Sequence, residues 1–477
     1  MTTNDVTGGV AEDYLVNMKH IKSTSVRYQE SPFRSCSPLT MLLFVTTLLL
    51  CVSLDLTSAD LHYCQEKRLK NVKQLTFGGM NAEGYFSYDD KFLTFQASDS
   101  PNAKNSVYGT KCDQIYQMDL NKNISDPTRI RKISPGLGST TCSYFYGNNK
   151  DSLFAGNFHK ITMLDQDLSA TVYNTCPPKK CQLKYPASNP LHDLCGPHAY
   201  TWDIYNNYDI FKVNQYGNII KQLTKNNFYD AEATFSPDGT KIVFTSNRDG
   251  DLELYTMNSD GSNVKQLTNK LGYDGGAFFS RDGTKIVWRA SRPNKASDVK
   301  RYTDLLSHGL VEPLNMELFV MNVDGSNQKQ ITQLGNANWA PFYLNDSRTI
   351  IFSSNHEGAA NGYGAFVLYM MKDDGSGLER VTYGEKDFNS FPMMNFAGTK
   401  LVWGSSRMGG TSELDLFIAD WVYDPPAERD EAKKQRLKQE EDVTRHPAMS
   451  TKRRLPWKTE KEEPSVNTVD KRVKKEE

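Results

Sequence analysis

The chain has 477 residues, a formal net charge of −1 and 11% aromatic residues. A near-neutral balance gives no global attraction to nucleic acid or to an anionic membrane. The length admits a few domains or one large all-β domain, and the abundant Tyr and Phe suit interlocking sheets.

Residues 1–38 are a polar extension, and residues 39–59 carry an apolar run from Leu39 to Leu54 that ends in the small residues of Thr57-Ser58-Ala59. A comfortable membrane span takes about 20 residues, so the run is somewhat short for one. It is expected to be a cleaved signal peptide, with Met41 as an alternative start, or else a type II signal anchor. Either sends the remainder into the secretory pathway, and the sequons at Asn123 and Asn345 point the same way. Six cysteines follow the apolar run: Cys64, Cys112, Cys142, Cys176, Cys181 and Cys195. In an oxidising compartment an even set predicts disulfides, with Cys112–Cys142 as one candidate pair.

From residue 60 to 424 the chain repeats itself. Phe235-Ser236-Pro237-Asp238-Gly239-Thr240-Lys241-Ile242-Val243-Phe244 matches Phe279-Ser280-Arg281-Asp282-Gly283-Thr284-Lys285-Ile286-Val287-Trp288. Each copy continues into a strand, an Asp-Gly-Ser turn and a segment such as Lys265-Gln266-Leu267-Thr268. Self-similarity at this period in strand and turn chemistry predicts a β-propeller. Six copies of the first turn predict six blades, each a meander of strands A to D from the channel outwards. The lone N-terminal strand Val72–Thr76 is expected to complete the last blade, which lacks a strand D, and so to leave no open edge. Residues 425–477 are dense in mixed charge and are expected to be a largely disordered tail.

The segments Tyr229-Asp230-Ala231-Glu232-Ala233-Thr234, Ser246-Asn247-Arg248-Asp249-Gly250-Asp251-Leu252, Gly272-Tyr273-Asp274-Gly275-Gly276, Phe352-Ser353-Ser354-Asn355-His356 and Leu416-Phe417-Ile418-Ala419-Asp420-Trp421 resemble those of the TolB-like propeller repeat family. The resemblance spans roughly Lys70 to Trp421. It implies a six-bladed propeller acting as a binding or scaffold module, with no catalytic residues to carry over.

Large insertions fall between strands B and C: Asp99–Lys111, His159–Asn207, Pro293–Asn315 and Glu357–Ala365. Antiparallel topology puts them on one face and both sequons on the other. Insertions gathered on one face of a repeat array usually build its binding surface. Residues expected around the channel mouth there are Glu83, Asp230, Glu232, Asp274 and Trp339 from the starts of strands A. The ends of strands B add His159, Asn247, Arg248, Arg292, Asn355, His356 and Arg407. Arginines with an aromatic and carboxylates suit a peptide or anionic ligand. The alternative is that Asp230, Asp274 and Arg292 simply hydrogen-bond neighbouring blades. Within the blade-four insertion, Asp298–Val311 has the apolar spacing of a short amphipathic helix docked on the propeller.

Cys176, Cys181, His192, Cys195 and His198 have spacings that a zinc site shares, but the compartment favours disulfides. Asp249-Gly250-Asp251-Leu252-Glu253 lacks the remaining ligands of a calcium loop and is expected to be hairpin chemistry. The chain carries no Gly-x-Ser-x-Gly elbow, phosphate loop or His-Glu-x-x-His. No cofactor or metal is expected. The favoured function is a monomeric secreted or lumenal propeller, not an enzyme, that binds a protein or peptide partner and not nucleic acid. The alternatives are a channel-based lyase or glycosidase using Glu83, Glu232, His159 and His356, and a membrane-anchored accessory subunit.

Overall fold

The computed structural model describes residues 61–100, 106–158, 176–177, 179–181, 185–186, 188–196, 200–358, 365–384, 386–408 and 413–423. The N-terminal extension, the apolar segment, the charged tail and His159 lie outside these residues.

The described chain forms a six-bladed, all-β propeller. A lone strand, β1 (Leu69–Gln74), comes first. Blade one is β2 (Met80–Phe86), β3 (Phe92–Ser98), β4 (Gln114–Asp119) and β5 (Ile130–Lys132). Blade two is β6 (Thr140–Phe145), β7 (Ser152–Gly156), β9 (Asp209–Val213) and β10 (Ile219–Gln222), with β8 (Trp202–Asp203) in its insertion. Blade three is β11 (Asp230–Phe235), β12 (Lys241–Ser246), β13 (Glu253–Asn258) and β14 (Lys265–Gln266). Blade four begins with β15 (Asp274–Phe279) and β16 (Lys285–Ser291), inserts helix α1 (Ala296–Ser307) and β17 (Leu310–Val311), and ends with β18 (Met316–Asn322) and β19 (Lys329–Gln330). Blade five is β20 (Asn338–Tyr343), β21 (Thr349–Ser354), β22 (Val367–Lys372) and β23 (Glu379–Arg380). Blade six has β24 (Asn389–Met394), β25 (Lys400–Ser405) and β26 (Asp415–Trp421), and β1 supplies its outer strand.

The closure is therefore as expected, with β1 antiparallel to β26 from Leu69 opposite Trp421 to Gln74 opposite Phe417. Helix α1 is shorter at its C-terminal end than its apolar pattern implied, because Gly309 turns the chain at φ 68° and Leu310–Val311 become a strand.

Three repeated devices explain the blades. Strand B carries one aromatic that is fully buried in every copy: Phe95, Phe154, Phe244, Trp288, Phe352 and Trp403. Trp288 packs with Val243, Leu254 and Leu267 of the preceding blade, so these rings glue blade to blade. Burying one such side chain contributes about 1.5–3 kcal/mol. The threonine that ends each Gln-Leu-Thr-type segment has a second use. Its hydroxyl accepts the strand C amide of Ile210, Leu254, Leu318 or Leu368 at 2.7–2.9 Å, from Thr224, Thr268, Thr332 and Thr382. In blade six Thr76 does this for Leu416 at 2.9 Å, and donates to Asp415 at 2.9 Å.

The third device positions the site. Every A–B pairing slips by one residue, between Ala82 and Tyr85 in blade one and at the matching place in the other five. The extra residue is left-handed each time: Glu83 (φ 55°), Cys142 (51°), Glu232 (54°), Gly276 (60°), Ala340 (46°) and Phe391 (56°). A bulge re-aims one side chain out of the alternating pleat, and here it does so for five side chains around the channel, the sixth bulge residue being Gly276.

Replacing Thr76 by Val keeps the shape but leaves the Leu416 amide without its acceptor and takes one donor from the Asp415 oxygen, which keeps Asn81 at 3.2 Å. The expected loss is about 1–3 kcal/mol, seen as a lower urea midpoint at unchanged slope.

Candidate functional site

The blade-two and blade-four insertions fold into one lid. Strand β8 pairs with β17, Trp202 opposite Val311 and Asp203 opposite Leu310. Leu305 of α1 and Leu310 pack with Leu194 and Cys195 of the blade-two insertion. Lys180 reaches into the same junction and donates to the carbonyl of Ile204 at 2.6 Å. Tyr302 of α1 donates to Asp251 on the B–C hairpin of blade three, and Arg301 donates to Glu312 at 2.8 Å. Two disulfides fix the assembly, Cys112–Cys176 to blade one and Cys181–Cys195 within the insertion. Cys64 is disulfide-bonded as well.

Beneath the lid lies a cavity of about 90 Å³, counted as space for the centres of water-sized molecules. That is room for on the order of six waters or one small group. Its floor is the ring of bulge residues Glu83, Cys142, Glu232 and Phe391, and its walls include Trp202, Tyr229, Tyr273 and Trp339. The opposite end of the channel is filled by Tyr88, Tyr144, Phe235, Phe278, Phe342 and Phe396, with only about 10 Å³ between them. Arg281 crosses that end, donating to the carbonyl of Met394 at 2.9 Å and lying 4.2 Å from the Phe396 ring centre.

The cavity chemistry divides into two parts. Glu232 is fully engaged: Arg289 donates to it, as do Tyr273 (2.6 and 2.8 Å from its two oxygens), Thr245 (2.7 Å) and the Gly276 amide (3.0 Å). The Arg289 guanidinium stands over the rings of Trp202 and Tyr273, 5.0 and 5.5 Å from their centres. Only glycines fit opposite, since a β-carbon at Gly275 would strike Tyr273 and Glu232, and one at Gly276 would strike Arg289. Glu83, by contrast, has only neutral donors, Tyr85 at 3.2 Å and the Cys142 thiol. Burial lifts its carboxyl to about 7; Cys142, the more distant Arg289 charge and Tyr85 offset part of that, and nearby Glu232 adds to it. Burial likewise pushes the Cys142 thiol well above the usual range.

A family model described as a TolB beta propeller domain matches residues 199–310. These are TolB-like propeller repeats. The putative TolB of Agrobacterium tumefaciens aligns over 74% of this chain and 97% of its own, with 14% identity and a TM-score of 0.42. TolB of Acinetobacter baumannii aligns over 64% of this chain and 55% of its own, at 16% identity and a TM-score of 0.39. An oligogalacturonate lyase in complex with manganese aligns over 74% and 93%, at 12% and 0.40. A search of curated protein sequences finds no match.

Of the residues expected at the channel mouth of the propeller, Glu83, Glu232 and Trp339 line the cavity. Trp339 stacks on Phe366 at 4.4 Å and donates to the Pro313 carbonyl at 3.0 Å. The others are held elsewhere. Arg248 pairs with fully buried Asp230 at 2.8 Å, and Arg292 with fully buried Asp274 at 2.7 Å. Arg407 pairs with Glu66 at 3.0 Å and lies between the Tyr63, Trp403 and Phe417 rings. His356 occupies the same repeat position, hydrogen-bonded to Ser354 at 2.9 Å and 4.6 Å from the Tyr369 ring. Asn247 and Asn355 each accept the amide before a strand A, from Tyr229 at 2.8 Å and Ala337 at 2.9 Å. None of these six strand-end residues lines the cavity. His159 lies outside the described residues.

The cysteine expectation needs correction. Cys112 joins Cys176 in the lid, and Cys142 remains a free thiol because its bulge turns it into the channel. The four lid-associated cysteines are oxidised and so are not zinc ligands. Of the sequons, Asn123 is exposed, whereas Asn345 is half-buried and its amide donates to the Phe396 carbonyl at 2.9 Å. Arg289 was missed. Its signal was a charge at the strand B position that Gln96, Ala155, Thr245, Ser353 and Gly404 hold in the other blades.

The Glu83 carboxyl sets a pH test. An unfolded Glu titrates near ~4.3, so between that pH and about 7 the unfolded chain releases a proton that the folded chain keeps. Stability therefore falls as pH rises through this window. Glu83→Gln is expected to remove that fall, making the variant more stable than wild type at pH 8, by on the order of 3 kcal/mol, and similar to it at pH 4. Thermal unfolding at the two pH values measures this, and equal or lower stability at pH 8 contradicts it.

Proposed function

We propose that the chain is a secreted or lumenal, non-catalytic propeller that receives a protein or peptide partner on the face bearing the B–C insertions. The observation that carries this reading is the lid: two insertions, a helix and two disulfides gather over the only wide end of the channel seen among the described residues. Ordering loops with covalent ties cuts the entropy lost when a partner docks. Disulfides suit an oxidising compartment, and among the described residues no helix is long and apolar enough to cross a membrane.

The pair of acids Glu83 and Glu232 in one cavity favours a second reading, a carbohydrate-active lyase or glycosidase working in the channel. General acid–base work needs a carboxylate free to take a proton. Glu83 is free to do so, but Glu232 is occupied by four protein donors and so cannot serve as the second acid of a pair, which supports binding over catalysis.

The test compares two charge-reversed forms of the full chain as baits. Lys111→Glu/Lys295→Glu/Lys300→Glu alters exposed residues on the insertion face, and Lys91→Glu/Lys150→Glu/Lys241→Glu alters exposed residues at the A–B turns. Partners retained by the second and weakened at least tenfold by the first support the proposal. The reverse pattern, or equal capture by both, overturns it.

A further inference from the structure

The cavity has a charge that its own walls do not answer. Arg289 spends its charge on Glu232, donates to Tyr273 and lies over two ring faces, although its buried Nε has no hydrogen-bond partner. Lys179 at the rim lies beside Asp203, to whose electrostatics it contributes. Asp113 takes hydrogen bonds from Ser98 at 2.8 Å and Gln96 at 3.1 Å. Glu83 alone among these acids has neither a cation in contact nor more than weak neutral donors, although it is 7% exposed and open to the cavity.

Around it the walls are aromatic. Trp202 lies 5.6 Å from Trp339 and 5.9 Å from Tyr273, centre to centre, and Tyr229 completes that side. Ring faces attract cations, most strongly where water is excluded. A buried carboxylate also prefers a partner that is both charged and a hydrogen-bond donor. An anion would meet Glu83 and Glu232 with no uncommitted cation, and a plain apolar group would leave the carboxylate unanswered.

We propose that this cavity binds a primary alkylammonium group, with Glu83 as its counter-ion and the rings of Trp202, Tyr229 and Trp339 as its walls. Such a group is carried by a free alkylamine, a lysine side chain or an amino terminus. The proposal deepens the binding reading above by naming what a partner would insert. It fails separately from that reading, because the lysine-reversal baits probe the rim and not the cavity.

The groups facing Glu83 are Tyr85 on its own strand, Cys142 on β6, Glu232 on β11 and Arg289 on β16. A bound cation holds the Glu83 proton off, so uptake weakens as the pH drops below the range in which that carboxyl ionises.

Isothermal titration of the full chain with n-butylammonium at pH 8 tests this, with n-butanol as the neutral match. Expected are saturable binding of the cation, at least tenfold weaker binding of the alcohol, and at least a tenfold loss in Glu83→Gln. Wild-type affinity is also expected to drop several-fold at pH 6, an arm that stands even if the variant does not fold. Equal binding of cation and alcohol, unchanged affinity in folded Glu83→Gln, or no binding of the cation overturns the proposal. A capped Gly-Lys-Gly peptide separates the sources: binding as tight as n-butylammonium assigns the site to a partner's lysine, and binding of the free amine alone assigns it to a small amine.

Discussion

One extra residue in each innermost strand governs the centre of this molecule. The alternation of a strand gives its core-facing side chains to blade packing, and the bulge breaks that alternation once per blade. Six left-handed residues thereby leave the blades and face the axis. Holding a non-glycine residue there costs on the order of 1–3 kcal/mol, and neighbouring blades offset it. Gln96 of blade one accepts the Cys142 amide of blade two at 3.2 Å, and Glu232 of blade three accepts the Gly276 amide of blade four at 3.0 Å. The bulges thus couple the blades as well as furnishing the channel.

What the ring presents depends on which residue each blade places there. Glycines at 275 and 276 create a gap that Arg289 fills, and the arginine neutralises Glu232. Glu83 sits beside a thiol and receives no such partner. Two identical residue types at equivalent positions therefore differ in state, one locked in an ion pair and one close to neutral pH in its titration.

The repeat made the architecture legible. Turn residues, the buried aromatic of strand B and the Gln-Leu-Thr segments recur often enough to count six blades and to assign the N-terminal strand to the last one. Glu83 and Glu232 were found because strand A starts at the channel. The strand-end residues Arg248, Arg292 and Arg407 were less transparent, because the same position serves blade packing. Their guanidiniums fold back over Phe244, Phe319 and Trp403 and meet an acid, a contact that a linear pattern does not distinguish from display toward a ligand. The lid was illegible for another reason. Its strand pairing joins residue 202 to residue 311 across two insertions that have no repeat to align.

Disulfide mapping of the non-reduced, denatured full chain tests the lid over the ring most directly. The account predicts peptides joined through Cys112–Cys176 and Cys181–Cys195, with Cys142 alkylated without reduction. A Cys112–Cys142 link would contradict it, since the lid would then lose its tie to blade one and Cys142 could not belong to the cavity floor.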